Sequence, residues 1–317
     1  MLRIHFSTED LGRIRIAESP DPLWEVVLSL HQWQHRSPDP DLVGWQRHAH
    51  RVVRSSDQFT LIARLISLVP PHGYTPDFLT PTGSATLEQG LDAVLRTPGR
   101  RVRGDLKALA EGVRLPLWVR DLAEGGSQQL AAVVAAVRRY YELVVGPHLA
   151  DVGSPVAAHD ARVRTVAPHE ADEVLARLAP GLQWREPVLQ TPYPQDQDLY
   201  LKGRGLLLVP SHFCRRTPVT LADPALDPVL VYPTLTVDRE PSPDLVALLG
   251  RTRAGVMQVL TTPRSTSEIG RALNVSIASA SEHATTLRNA GLVASTRRGN
   301  AVLHVLTSKG HLLLGTT

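Results

Sequence analysis

The stretch Ser265–Val293, STSEIGRALNVSIASASEHATTLRNAGLV, decides the fold of the C-terminal part of this chain. It holds two helical periods separated by a three-residue break. Ser265 and Glu268 have capping-box spacing: the hydroxyl can take a first-turn N–H while the carboxylate reaches back. The spacing predicts a helix over Thr266–Leu273, a turn at Asn274-Val275-Ser276, and a second helix capped by Ser276. Ala280, Ala284 and Leu287 recur at helical spacing and are expected to face inward. Ser279, Glu282, His283 and Thr285 are expected mostly outward. Gly291 supplies a left-handed C-cap. Beyond it, LVASTR and NAVLHVLT read as two strands around Arg298-Gly299. Upstream, SPDLVALLGRTRAGVMQVL reads as one amphipathic helix with Leu245, Leu248, Leu249, Val256, Val259 and Leu260 as its apolar set.

Two short helices joined by a tight turn form a helix-turn-helix, whose second helix enters the major groove N-terminus first; the hairpin is then a wing. Short serine side chains let such a helix approach base edges and phosphates. Glu282 could accept from cytosine N4, and Ser279 could bond several bases. Arg297 and Arg298 at the wing tip would meet phosphates or a minor groove. The candidate DNA contacts are Thr266, Ser267, Ser276, Ser279, Ser281, Glu282, His283, Arg297, Arg298 and Asn300.

Charge and aromatic content divide the chain in the same place. From Asp244 onward there are eight Lys or Arg (Arg251, Arg253, Arg264, Arg271, Arg288, Arg297, Arg298 and Lys309) against Asp244, Glu268 and Glu282. That segment carries +5 of a net +3, so the first 243 residues carry −2. All five Trp lie between Trp24 and Trp184, and no aromatic residue follows Tyr232. A basic, aromatic-free unit behind a nearly neutral, Trp-bearing one suits a nucleic-acid partner.

The N-terminal part is mixed. LRIHF (2–6) and GRIRI (12–16) read as strands around a glycine turn, hence a hairpin. From Pro20 the period turns helical, with Trp24, Val27, Leu28 and His31 on one face and Leu42, Trp45, Ala49 and Val52 on another. TLIARLISLVP and residues 84–96, 102–112 and 127–145 continue it, the last stopping before Gly146-Pro147. EPVLQTPYP, DLYLKGRGLLLVPS and DPVLVYPTLTV read as strands of a small sheet that the N-terminal hairpin could join. The expected fold class is α+β: a large mixed helical and sheet domain over 1–237, a linker over 238–243 (within DREPSPD), and a winged helix-turn-helix over 244–317.

The segments LLGRTRAGVMQVL, RSTSEIGRALNVSIASASEHATTLRNAGLV and RRGNAVLHVLTSKG resemble the winged helix of the ArsR/SmtB transcriptional regulators over about 70 residues. The resemblance implies a dimeric transcription factor, often a repressor, released by an effector. The upstream part, through GRGLLLVPS and VLVYPTL, resembles an uncharacterised domain that precedes such winged helices, and this brings no known chemistry. Many relatives hold metals through a Cys-x-Cys pair at the positions of Ser265 and Ser267. Neutral hydroxyls do not hold thiophilic ions, and the tail offers only His311, so no metal is expected.

Other constellations point to structure before chemistry. His31 and His35 have ligand spacing but no HExxH or Cys pair beside them. His212 and Cys214 of SHFC would share one side of an extended chain and lack a third group to orient a base. GRG (203–205) lacks the spacing of a phosphate loop and reads as a turn. Trp24, Trp33, Trp45 and Trp118 are core residues that could also line an effector pocket. No cofactor motif is present. No run of about 18 apolar residues exists for a membrane span. The N-terminus lacks the unbroken apolar core of a secretory signal, and the one cysteine, Cys214, forms no internal disulfide, so a cytoplasmic location is expected. The reading is a homodimeric DNA-binding regulator of an operator, not an enzyme. A small-molecule effector of the N-terminal domain could control it. A winged helix serving protein assembly, or an enzyme with an appended winged helix, fits the same residues less well.

Overall fold

The computed structural model describes residues 1–35, 39, 42–56, 59–84, 86–152, 163–178, 182–215, 217–233, 243–260, 264–273, 275–298 and 301–314. The chain is α+β and divides into two compact units, Met1–Thr234 and Leu235–Thr317. Unit one runs β1 (Leu2–His5), α1 (Thr8–Leu11), β2 (Ile14–Ala17), α2 (Pro22–Gln34), α3 (Val43–Ser55), α4 (Phe59–Leu68), α5 (Leu87–Leu95), α6 (Gly99–Gly112), α7 (Trp118–Ala123), α8 (Ser127–Tyr140), α9 (Gly146–Asp151), β3 (Val163–Thr165), α10 (Ala171–Arg177), β4 (Gln183–Arg185), β5 (Val188–Thr191), β6 (Gln197–Tyr200), β7 (Leu206–Ser211) and β8 (Val229–Pro233). Among the described residues no helix is long and apolar enough to cross a membrane.

The expected hairpin of β1 and β2 does not form. Ser7 and Asp10 make a capping box instead, which starts α1 between the two strands. The Asp10 carboxylate accepts from Ser7 N (2.8 Å), Ser7 Oγ (2.6 Å) and Gly205 N (2.9 Å). The chain is thereby turned from one sheet into another. β1 lies between β5, antiparallel, and β6, parallel, in the order β4-β5-β1-β6. β2 lies in a second sheet, β3-β2-β7-β8, whose last three strands are parallel.

The apolar run of β7 reflects burial on both faces, as parallel sheets require. Leu207 and Val209 join a core built mainly by α2 to α9, while Leu206 and Leu208 join a second core with Leu2, Ile4, Leu189, Leu199 and α10. β8 divides the same way, Val229 and Val231 against Leu230. The GRG turn links β6 of one sheet to β7 of the other, with Lys202, Gly203 and Gly205 all at positive φ. Arg13 donates from its guanidinium to the Gly203 carbonyl and holds this turn from the other side.

Gly146-Pro147 does not stop the long helix. Residues Tyr141–Val145 form a wider π turn, and α9 continues from Gly146. Proline lies in the first turn of α9, where its missing N–H is tolerated. Gly146 leaves room for the Tyr141 ring, which would stand 3.0 Å from a Cβ there.

Unit two runs α11 (Pro243–Leu249), α12 (Arg251–Val259), β9 (Arg264–Ser265), α13 (Thr266–Ala272), α14 (Ile277–Asn289), β10 (Val293–Arg298), β11 (Ala301–Leu306) and α15 (Ser308–Leu314). The single helix expected over 242–260 is broken at Gly250, whose φ of 80° no α-helix accommodates. Leu248 is 65% exposed, against its expected place in the core. Residues 238–242 of the expected linker lie outside the described residues. The core joins Val256, Met257, Leu260, Ile269, Ala280, Leu287, Val293 and Leu306. Small residues set its tightness. A Cβ on Gly270 would stand 3.1 Å from the Val275 carbonyl, and one on Gly255 3.0 Å from the Leu273 side chain.

Candidate nucleic-acid interface

The capping box of α13 is present. Ser265 N and Oγ donate to Glu268 Oε2 at 2.6 and 2.7 Å, and Glu268 N donates to Ser265 Oγ at 3.3 Å. Partial burial works to raise the Glu268 carboxyl. The Ser265 donors and the charges of Arg264 and Arg271 outweigh it and hold the group below its usual range. The Ser265 hydroxyl is thus engaged in capping. Ser267, in the first turn of α13, is exposed, and its carbonyl accepts from Arg271 Nε at 3.4 Å.

Ser276 caps α14, accepting from Ser279 N at 3.1 Å. Ala280, Ala284 and Leu287 are buried as expected. Ser276, Ile277, Ala278, Ser281 and Glu282 are exposed in the first half of the helix. Ser279, His283 and Thr285 are half-buried, so their outward placement holds only in part. His283 is turned furthest: its Nδ1 is enclosed and has no hydrogen-bond partner among the described residues. Ile277, 60% exposed, lies outside the set of contacts expected from sequence. The pattern of alternating small and polar residues does not single it out.

The hairpin pairs Val293 with Leu306, Ser295 with His304, Arg297 with Val302 and Arg298 with Ala301. Alternation puts Val293, Ser295 and Arg297 on one face. That face is apolar and buried at its root and basic near the tip, where Arg297 is exposed. Asn300 lies outside the described residues, as does the side chain of Arg298. β9 adds a third strand through Leu303↔Ser265 and His304↔Arg264.

One residue joins these parts and carries no sequence signal. His304 is buried, with Ser295 Oγ 2.8 Å from Nδ1 and Thr266 Oγ1 3.0 Å from Nε2. A neutral imidazole donates through one nitrogen and accepts through the other, and each hydroxyl can supply the complement. The Thr266 hydroxyl is therefore engaged by His304. Burial first, then the charge of Arg288, hold the ring below its ordinary pKa. The folded unit prefers neutral His304, so its contribution to stability is complete above the ordinary histidine pKa of about 6.5 and is lost as pH falls from that value through the lower pKa of the folded state. An NMR titration of the full chain is expected to show His304 protonating below pH ~6.5, with amide exchange in β10 and β11 quickening over the same range. A ring that titrates at or above that pH would contradict this role.

In unit one the other candidates have structural partners. SHFC forms a tight turn over a buried carboxylate rather than an extended chain. Glu25 accepts from His212 N (2.7 Å) and Phe213 N (3.1 Å), and burial pushes its carboxyl up to about 7. Cys214 Sγ faces the carbonyls of Thr217 and Val231, while His212 Nε2 lies 3.0 Å from His148 Nε2. Burial and Glu25 push the thiol up to about 12. A thiol so protonated is a poor nucleophile. His31 lies 3.2 Å from Thr75 Oγ1. Among the described residues no three His, Cys, Asp or Glu side chains converge as a metal site.

The four tryptophans serve separate contacts. Trp24 is buried in the helical core. Trp45 donates to the Val144 carbonyl at 3.3 Å and packs on Phe213. Trp33 stacks on His50, and Arg64 lies over the ring of Trp118.

No protein-family model matches the chain, and no curated protein and no solved structure matches it.

Proposed function

We propose that the chain is a DNA-binding transcriptional regulator of the cytoplasm, in its simplest arrangement a repressor, and that unit two is a winged helix-turn-helix. In this reading α14 enters the major groove of an operator N-terminus first. The β10–β11 hairpin is the wing and rests its basic end on the backbone. The supporting observation is the presence of two surfaces in one small unit: an exposed first half of α14 with short side chains, and a hairpin leading to Arg297 and Arg298. Ser279, Ser281 and Glu282 are of the kind that reads base edges, and Ile277 suits a thymine methyl. The +5 charge of the segment favours a polyanion.

A homodimer would place two such helices on two half-sites and raise avidity by linkage. Leu248 on α11 and Leu312 on α15, 65% and 66% exposed, are apolar side chains that a second copy would cover. Unit one would then either fix the dimer or respond to a non-metal ligand.

Replacing Ser279 and Glu282 by alanine tests the assignment of α14. Ser276 caps through the backbone N–H of Ser279, so the Ser279 side chain is not needed for the cap. Affinity for the operator should fall by on the order of 1–3 kcal/mol for each base that is no longer read. Random duplex should bind as before, or slightly better without the Glu282 charge. Equal losses on operator and random DNA would remove α14 as the reading element.

A further inference from the structure

Unit one contains a cleft of about 280 Å3 between three chain segments, lined among others by Asp77, Thr80, Thr82, Arg101, Leu221 and Asp227. None of the four tryptophans lines it. The volume corresponds to roughly nine waters. It falls just short of the roughly 300–1,000 Å3 of pockets that hold drug-sized ligands, so it suits a small metabolite. The walls are tied together across the sequence. Asp77 accepts from Ala222 N (3.1 Å) and Asp223 N (2.8 Å), and Asp105 accepts from Phe78 N (2.8 Å). Arg204 holds the far segment through the carbonyls of Pro224 and Leu226.

The charges in this cleft are incompletely matched. Asp77 is 5% exposed, and its hydrogen-bond donors are neutral backbone N–H groups. Burial first, then the nearby charges of Asp105 and Asp223, raise its carboxyl above the usual range. Buried carboxylates are ordinarily compensated by a cation or by protonation. Asp227 lies on the same cleft. Arg101 also lines it. Its charge is felt at Asp105, but its guanidinium makes no hydrogen bond or ion pair among the described residues. The lining of the cleft therefore carries both acidic and basic side chains.

We infer that this cleft binds a small zwitterion of the α-amino acid class, its ammonium received by Asp77 and Asp227 and its carboxylate by Arg101. Leu221 and the threonines then face the side chain and limit its size. This goes beyond the DNA reading and does not depend on it, because its test contains no DNA.

The test is calorimetric titration of the full chain with each of the twenty protein amino acids. The best binder is then compared with its N-acetyl derivative and its decarboxylated amine. At least one amino acid is expected to bind with a Kd of about 1 mM or tighter, and both derivatives are expected to bind at least tenfold more weakly. Asp77→Asn would disturb the backbone N–H groups it holds, so Arg101→Gln and Asp227→Asn are the variants to use. Each should weaken binding at least tenfold with an unchanged thermal midpoint. No binding by any of the twenty, an amine that binds as well as its amino acid, or unchanged affinity in both variants would each overturn the inference.

Discussion

Replacing Arg297 and Arg298 by alanine is expected to weaken the full chain on operator and random duplex alike, by roughly tenfold at 0.1 M salt for each phosphate left without its arginine. The reasoning is electrostatic. Arg297 is exposed on the hairpin face that changes from apolar at Val293 to basic near the tip. A long cation there can reach a phosphate without reading a base. Each neutralised phosphate releases counterions, and removing the cation flattens the log–log salt dependence by about 0.9 on duplex DNA. Two such arginines per wing would flatten it by about 1.8. The expected signature is a parallel loss of affinity on all sequences with a shallower slope, read by fluorescence anisotropy over a salt series. A loss confined to the operator with an unchanged slope would mean that the hairpin reads sequence and that the docking is reversed.

Gly205→Ala is expected to destabilise unit one by on the order of 3–5 kcal/mol. Gly205 has a φ of +72°, which alone disfavours alanine, and a Cβ there would stand 2.3 Å from the Arg13 carbonyl. That obstacle is backbone and cannot rotate away. The same residue donates its N–H to Asp10, the group that starts α1 between the two sheets. The loss would take a large share of the 5–15 kcal/mol that a domain ordinarily has. Tryptophan fluorescence isolates the effect, because all five tryptophans lie in unit one and no aromatic residue lies in unit two. A urea unfolding free energy within a few tenths of a kcal/mol of the parent would show that the GRG turn yields easily.

What could be read from sequence follows from how local each signal is. The capping box of Ser265 and Glu268, the Ser276 cap and the inward Ala280, Ala284 and Leu287 all lie within a few residues of their partners. α13, α14 and the hairpin of unit two were legible for that reason. Strand pairing is not local. Leu2 pairs with Thr191 and Ile14 with Leu206, so two neighbouring strands that resemble a hairpin entered different sheets. Gly250 resembled any glycine within a helical period, and only its φ reveals the break. His304 occupies an ordinary strand position, and its partners Ser295 and Thr266 lie nine and 38 residues away. The Asp77 cleft was illegible in the same way, since its walls come from segments about 145 residues apart.

The proposed function requires that α14 and its hairpin dock on duplex DNA. The most direct measurement is a titration of the full chain against duplexes from the region flanking its own gene, with random duplex of equal length as reference and salt varied. A discrete complex that weakens steeply with salt is expected, at least a thousandfold tighter on one duplex than on random DNA. Binding to every duplex at one affinity, or to none at micromolar concentration and low salt, would contradict it.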